Sequence, residues 1–110
     1  MQSVLIRRQT IVICPKGFVN AANASALQNQ LAIAVESTHN SDLLIDMRDV
    51  ESLDSAGLMV LVSTLSLAQK QNKRFSVCSV SASIRIIFEL TQLDRVFEIF
   101  ENSAAFEATA

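Results

Sequence analysis

The stretch Leu43-Leu44-Ile45-Asp46-Met47-Arg48-Asp49-Val50-Glu51-Ser52-Leu53-Asp54-Ser55-Ala56-Gly57-Leu58 decides how this chain folds. Leu43-Leu44-Ile45 is apolar without alternation, the pattern of a short strand covered on both faces in a mixed or parallel sheet. Asp46 to Leu53 reads as a loop. A long helix follows, from about Ser55 to Gln71, with Leu58, Leu61, Val62, Leu65 and Ala68 forming its apolar stripe. Lys70, Lys73 and Arg74 place positive charge at its C-terminal end, where the helix dipole favours it.

The junction of loop and helix carries the chemistry. Asp54 suits the N-cap, because its carboxylate can accept from the free amides of the first turn. Ser55 is then the first helical residue, with its hydroxyl at the rim of the helix end. Gly57 costs about 1 kcal/mol relative to Ala inside a helix, so its place there implies a need for space, for another backbone or for a partner. A phosphate on Ser55 would be partly accommodated by the helix N-terminus and opposed by Asp54. In an apolar interface it would be costly to desolvate and would expel the partner. Taken alone, Asp54 and Ser55 read equally well as a plain capping pair.

Working outward, Val4 to Ile6 and Ile11 to Cys14 read as two strands joined tightly through Arg7-Arg8-Gln9. Pro15 and Gly17 end the second. Asn20-Ala21-Ala22-Asn23 opens a helix in which Leu27, Leu31, Ala34 and Val35 recur at helical spacing. Thr38 to Ser41 break that pattern. Beyond the long helix, Phe75 to Val80 reads as a strand and Ala82 to Leu90 as a short helix with Ile84, Ile87 and Phe88 inward. Val96 to Phe100 reads as a last strand and Ser103 to Ala108 as a terminal helical turn. The order is β-β-α-β-α-β-α-β-α, an α/β fold with a small mixed sheet flanked by about four helices. The 110 residues fit one domain, 1–110.

Composition narrows the function. The net charge is -2 and the cations are scattered, so the basic stripe of a nucleic-acid binder is missing. All aromatics are Phe, a poor set for stacking bases. No apolar run reaches the roughly 20 residues of a membrane span, and Met1-Gln2-Ser3-Val4 leads into a strand-like segment rather than a secretory leader. The expectation is a soluble cytoplasmic protein. Cys14 and Cys78 read as small core residues, unpaired. His39 reads as a solvated loop residue, and no second His or clustered Cys gives metal-ligand spacing. Asp46 and Asp49 read as loop carboxylates with a contact to Arg48. Asn23-Ala24-Ser25 fits a glycosylation sequon by chance. Ser55 has no base in sequence reach and there is no glycine-rich phosphate loop, so neither an enzyme nor a cofactor is expected.

Asp54-Ser55-Ala56-Gly57-Leu58, after an apolar strand and before an amphipathic helix, resembles the signature of the STAS family (sulfate transporter and anti-sigma factor antagonist). Lys16-Gly17-Phe18-Val19-Asn20 resembles that family's turn after its second strand. Leu43 to Met47 and Val50 to Ser55 resemble its central strand and the approach to its phosphosite. Ala82 to Thr91 and Leu93 to Phe100 resemble its third helix and last strand, so the resemblance spans essentially the whole chain.

The resemblance implies a stand-alone bacterial anti-sigma factor antagonist with a STAS-like fold. Ser55 would be the phosphoacceptor of a switch kinase that doubles as anti-sigma factor, and a serine phosphatase would remove the phosphate. The unphosphorylated form would sequester the kinase. Asp54, Ser55, Ala56, Gly57, Met59, Phe18 and Asn20 are the expected partner-binding residues, with Leu58 assigned to the core. Two departures stand out. Asn20 replaces an Asp that many members carry, and Ala56 stands where some have a second Ser, which leaves Ser55 as the acceptor. The Asn20 departure keeps open an alternative, a constitutive structural subunit or scaffold of a transport or signalling complex.

Overall fold

The computed structural model describes residues 10–36 and 42–109. Their strands are β1 (Thr10–Ile13), β2 (Gly17–Val19), β3 (Asp42–Asp46), β4 (Val50–Leu53), β5 (Phe75–Cys78) and β6 (Glu98–Phe100). Their helices are α1 (Ala24–Glu36), α2 (Ser55–Lys70), α3 (Ala82–Leu90) and α4 (Ser103–Glu107), with a 3-10 turn at Leu93–Arg95. One sheet has the order β1-β3-β5-β6; β2 and β4 form a second, two-stranded one.

All of these pairs are parallel. The sheet expected to be mixed is therefore parallel throughout the described residues. Val4 to Ile6 and His39 lie outside them. The unalternating run at the centre is explained by the layers. Leu43 and Ile45 join the main core with Phe75 and Val77, while Leu44 faces the other way against Cys78 and Phe106. Successive strand residues point to opposite faces, so a strand buried on both faces needs apolar residues at every position. The main core is closed by Leu31, Ala34 and Val35 of α1, Val60, Leu61 and Leu65 of α2, and Ile84 and Phe88 of α3.

Four local expectations need correcting. The span from Asp46 to Leu53 is not a loop: β3 runs through Asp46, and β4 occupies Val50–Leu53. Only Val50 and Leu53 of β4 are buried, and that spacing carries no strand period. Gly17 does not end a strand but begins β2, at φ 73°, a conformation that favours glycine. Val96 is exposed and precedes β6, because the 3-10 turn uses the residues before it. Cys14 is exposed rather than core; Cys78 is buried and both are free.

The connections are well fastened. After α2, Asn72 takes φ 57°. The amides of Asn72 and Lys73 return to the carbonyls of Gln69 and Ala68 at 3.1 and 2.8 Å, a Schellman closure. The Lys73 ammonium donates to the carbonyl of Val35 near the end of α1. Asp46, buried at the end of β3, accepts from Arg48 Nη2 at 2.7 Å and Nε at 3.0 Å, so the expected Arg48 contact is present. The Arg48 hydrogen bonds hold the Asp46 carboxyl below its ordinary range, against the opposing effect of burial.

Candidate partner-binding site

The 16-residue helix α2 starts at Ser55. Asp54 is its N-cap, extended at φ -97°, and its Oδ1 accepts from the Gly57 amide at 3.0 Å. The Leu58 amide closes the first backbone turn on the Asp54 carbonyl at 2.9 Å. The amides of Ser55 and Ala56 have no preceding helical carbonyl to bond. Ser55 is exposed and Ala56 half-buried. Met59, one turn further along the same face, is 59% exposed. Leu58 is half-buried and packs against the main core.

The second part of the site comes from β2 and the turn after it. The Asp54 amide donates to the Val19 carbonyl at 3.1 Å, which fixes the end of β2 beside the start of α2. Val19 is buried, and its neighbour Phe18 points outward, 60% exposed. Phe18 stands in register with Ser52 of β4, which is also exposed. The turn is held by its own amides: Asn23 Nδ2 donates to the Phe18 carbonyl at 2.6 Å, and Asn23 Oδ1 accepts from the Asn20 amide at 2.9 Å. Asn20 Oδ1 accepts from the Ala22 amide at 2.9 Å. Asn20 is thus occupied as an Asx turn that leads into α1.

Of the two needs for space read at Gly57, another backbone or a partner, the structure shows the first. The glycine is buried, and the close approach is made by the chain itself. A Cβ built there would stand 2.5 Å from Leu53 Cδ1, 2.9 Å from Val19 Cγ1 and 3.1 Å from the Val19 carbonyl oxygen. The space that the glycine leaves is what lets the β2–β4 pair sit against the first turn of α2.

Asp54, Ser55, Ala56 and Met59 thus share the start of α2 with the buried Gly57, and the segment carrying Phe18 and Asn20 is tied to that start by the Val19–Asp54 hydrogen bond. Ser52 and Glu51 are also exposed, on β4, where the sequence carries no strand period to mark them. A groove of about 310 Å³ is lined by Cys14, Lys16, Val19, Asn23, Leu27 and Gln30. No group of three His, Cys, Asp or Glu that could hold a metal occurs among the described residues. None of the described helices is long and apolar enough to cross a membrane.

Comparisons with known proteins agree with this architecture. The anti-sigma-B factor antagonist of Bacillus subtilis is 29% identical over 87 residues, 79% of this chain and 78% of that protein. The crystal structure of TM1081 from Thermotoga maritima superposes with a TM-score of 0.83 at 25% identity, covering 94% of this chain and 90% of that one. The Bacillus cell fate determinant SpoIIAA in its phosphorylated form superposes with a TM-score of 0.71 at 15% identity, over 99% and 98% of the two chains. The family model of the STAS domain matches residues 2–105, nearly the whole chain. With that match over nearly its whole length, the chain belongs to the STAS domain family.

Proposed function

We propose that this protein is an anti-sigma factor antagonist, a binding module gated by phosphorylation of Ser55. Its unphosphorylated form binds and sequesters a switch kinase that also acts as an anti-sigma factor. The kinase phosphorylates Ser55 and is released, and a serine phosphatase resets the module.

The observation that carries this reading is the setting of Ser55. Ser55 stands exposed as the first residue of a capped helix; Met59, one turn on, is a large apolar side chain left outside, and so is Phe18 on β2, whose end is bonded to the helix cap. Such exposed apolar groups are suited to burial against a partner. A phosphate there adds a charge of about -1.5 to -2 next to the Asp54 carboxylate. The helix end tolerates it, while an apolar interface around it does not. The role of the Bacillus subtilis relative and the phosphorylated state of SpoIIAA support the same reading.

Incubation with ATP and a cognate switch kinase, followed by intact mass, tests it. One phosphate is expected on the wild type and none on Ser55→Ala. In titrations with the kinase, Ser55→Ala binds as tightly as the unmodified protein and Ser55→Asp binds at least tenfold more weakly. Equal affinity of the two variants, with no mass gain, would overturn gating. It would favour a constitutive subunit of a transport or scaffold complex.

A further inference from the structure

The face of the main sheet turned away from the main core carries a separate small cluster, in which Leu44 and Cys78 are covered by Phe106 of α4. A helix of five residues has no stability of its own in water, so α4 stays in place through its contacts. Phe106 is fully buried and meets Phe100 edge-on at 5.6 Å. The polar tie comes from Arg74, just before β5. Its guanidinium lies 4.5 Å from the Phe106 ring centre and 5.4 Å from that of Phe100. Its Nη2 donates to Thr109 Oγ1 at 2.8 Å, beyond the end of α4. Its Nε is held by Glu98 Oε1 at 2.6 Å, and that carboxylate also accepts from the Ser76 hydroxyl.

We propose that residues 102–109 form a releasable strap over this face, that Arg74 is its clamp, and that opening uncovers Cys78. The sheet stands between the two clusters, so the strap can lift while the main core stays packed. Segments that open at low cost are those with few apolar contacts outside one small cluster. Arg74 acts by position: Glu98, itself held by the Ser76 hydroxyl, keeps it on the body, and it holds Phe106 and Thr109 on the strap.

The test is thiol labelling of the full chain in native buffer, read by peptide mass spectrometry. The exposed Cys14 serves as an internal reference. Cys78 is expected to label slowly in the wild type, at least tenfold faster in Arg74→Ala, and about threefold faster in Thr109→Val, which removes the hydroxyl that accepts from Arg74 and donates to the Phe106 carbonyl. Amide exchange at Ile45 and Val77 is expected to stay at the wild-type rate in both variants. Unchanged Cys78 labelling in both variants overturns the proposal. So does labelling that rises only together with exchange at Ile45 and Val77, because the opening is then global.

Discussion

Replacing Gly57 with Ala tests whether the site is built on a backbone contact. Helix propensity alone favours alanine by about 1 kcal/mol. The structure opposes it: the added Cβ would lie 2.5 Å from Leu53 Cδ1, 2.9 Å from Val19 Cγ1 and 3.1 Å from the Val19 oxygen. The tip of Leu53 can rotate. The Val19 branch and carbonyl are stiffer, because the carbonyl accepts the Asp54 amide at 3.1 Å and the residue is laddered to β4. Overpacking costs about 1–3 kcal/mol, and a neighbour that cannot yield places the cost in the upper half of that range. Subtracting the helical gain leaves a net loss of about 1–2 kcal/mol. In urea, where a slope of about 1.5 kcal/mol/M is typical, the midpoint falls by about 1 M with the slope unchanged. Gly57→Ala as stable as the wild type would refute the reasoning, since propensity would then outweigh the contact. A cycle with Val19→Ala sharpens the test. Trimming Val19 removes the 2.9 Å contact with the branch that cannot yield, so the two substitutions together should cost about 1 kcal/mol less than their sum.

Asp54→Ala removes the carboxylate that caps Gly57 and is expected to cost about 1 kcal/mol in thermal or urea unfolding, while Asp54→Asn restores most of it. Phe18→Ala and Met59→Ala leave stability within about 0.5 kcal/mol, because both side chains are exposed. Under the proposed function, each is nevertheless expected to weaken binding to the switch kinase at least fivefold by titration calorimetry. The Asp46 carboxyl is held below its ordinary value of 3.8 chiefly by hydrogen bonds from Arg48. A depressed carboxylate stabilises the fold above its unfolded value, and that contribution is lost as pH falls through the folded one. Arg48→Ala strands a buried carboxylate, so stability at neutral pH drops and the acid-side loss shrinks, as urea midpoints between about pH 3 and 7 will record.

Much of this fold is legible because three signals are strong in the chain. The β3 run lacks alternation, α2 and α3 keep a helical stripe, and Asp54 has a glycine amide three residues on to cap. α3 falls at Ala82–Leu90, the bounds its pattern gives. The failures cluster where elements are short. β2 and β4 have three and four residues, too few for a period to stand out from turn residues such as Gly17 and Asp49. Their pairing is parallel and distant in sequence, and no local pattern encodes it. Cys14 misled for a related reason: its apolar neighbours Ile11 and Ile13 pack on the main core, but β1 ends before it and leaves its side chain in solvent. Gly57 was singled out for the right physical property, missing bulk, while the neighbour that uses it lies in β2 and β4 and could not be read locally. The surroundings of Ser55 were legible because capping is a local interaction, whereas Phe18 and Asn20 entered only through the chain-wide resemblance.

The contact between β2 and the first turn of α2 also bears on the thermodynamics of recognition. Phe18 and Met59 belong to segments far apart in sequence, yet the Val19–Asp54 hydrogen bond and the Gly57 approach join their backbones directly. A partner docking there does not have to order a loop, so the entropy of assembling the surface has already been lost in folding. Under the proposed function, affinity then rests on a small interface, which a single charge on Ser55 would reverse.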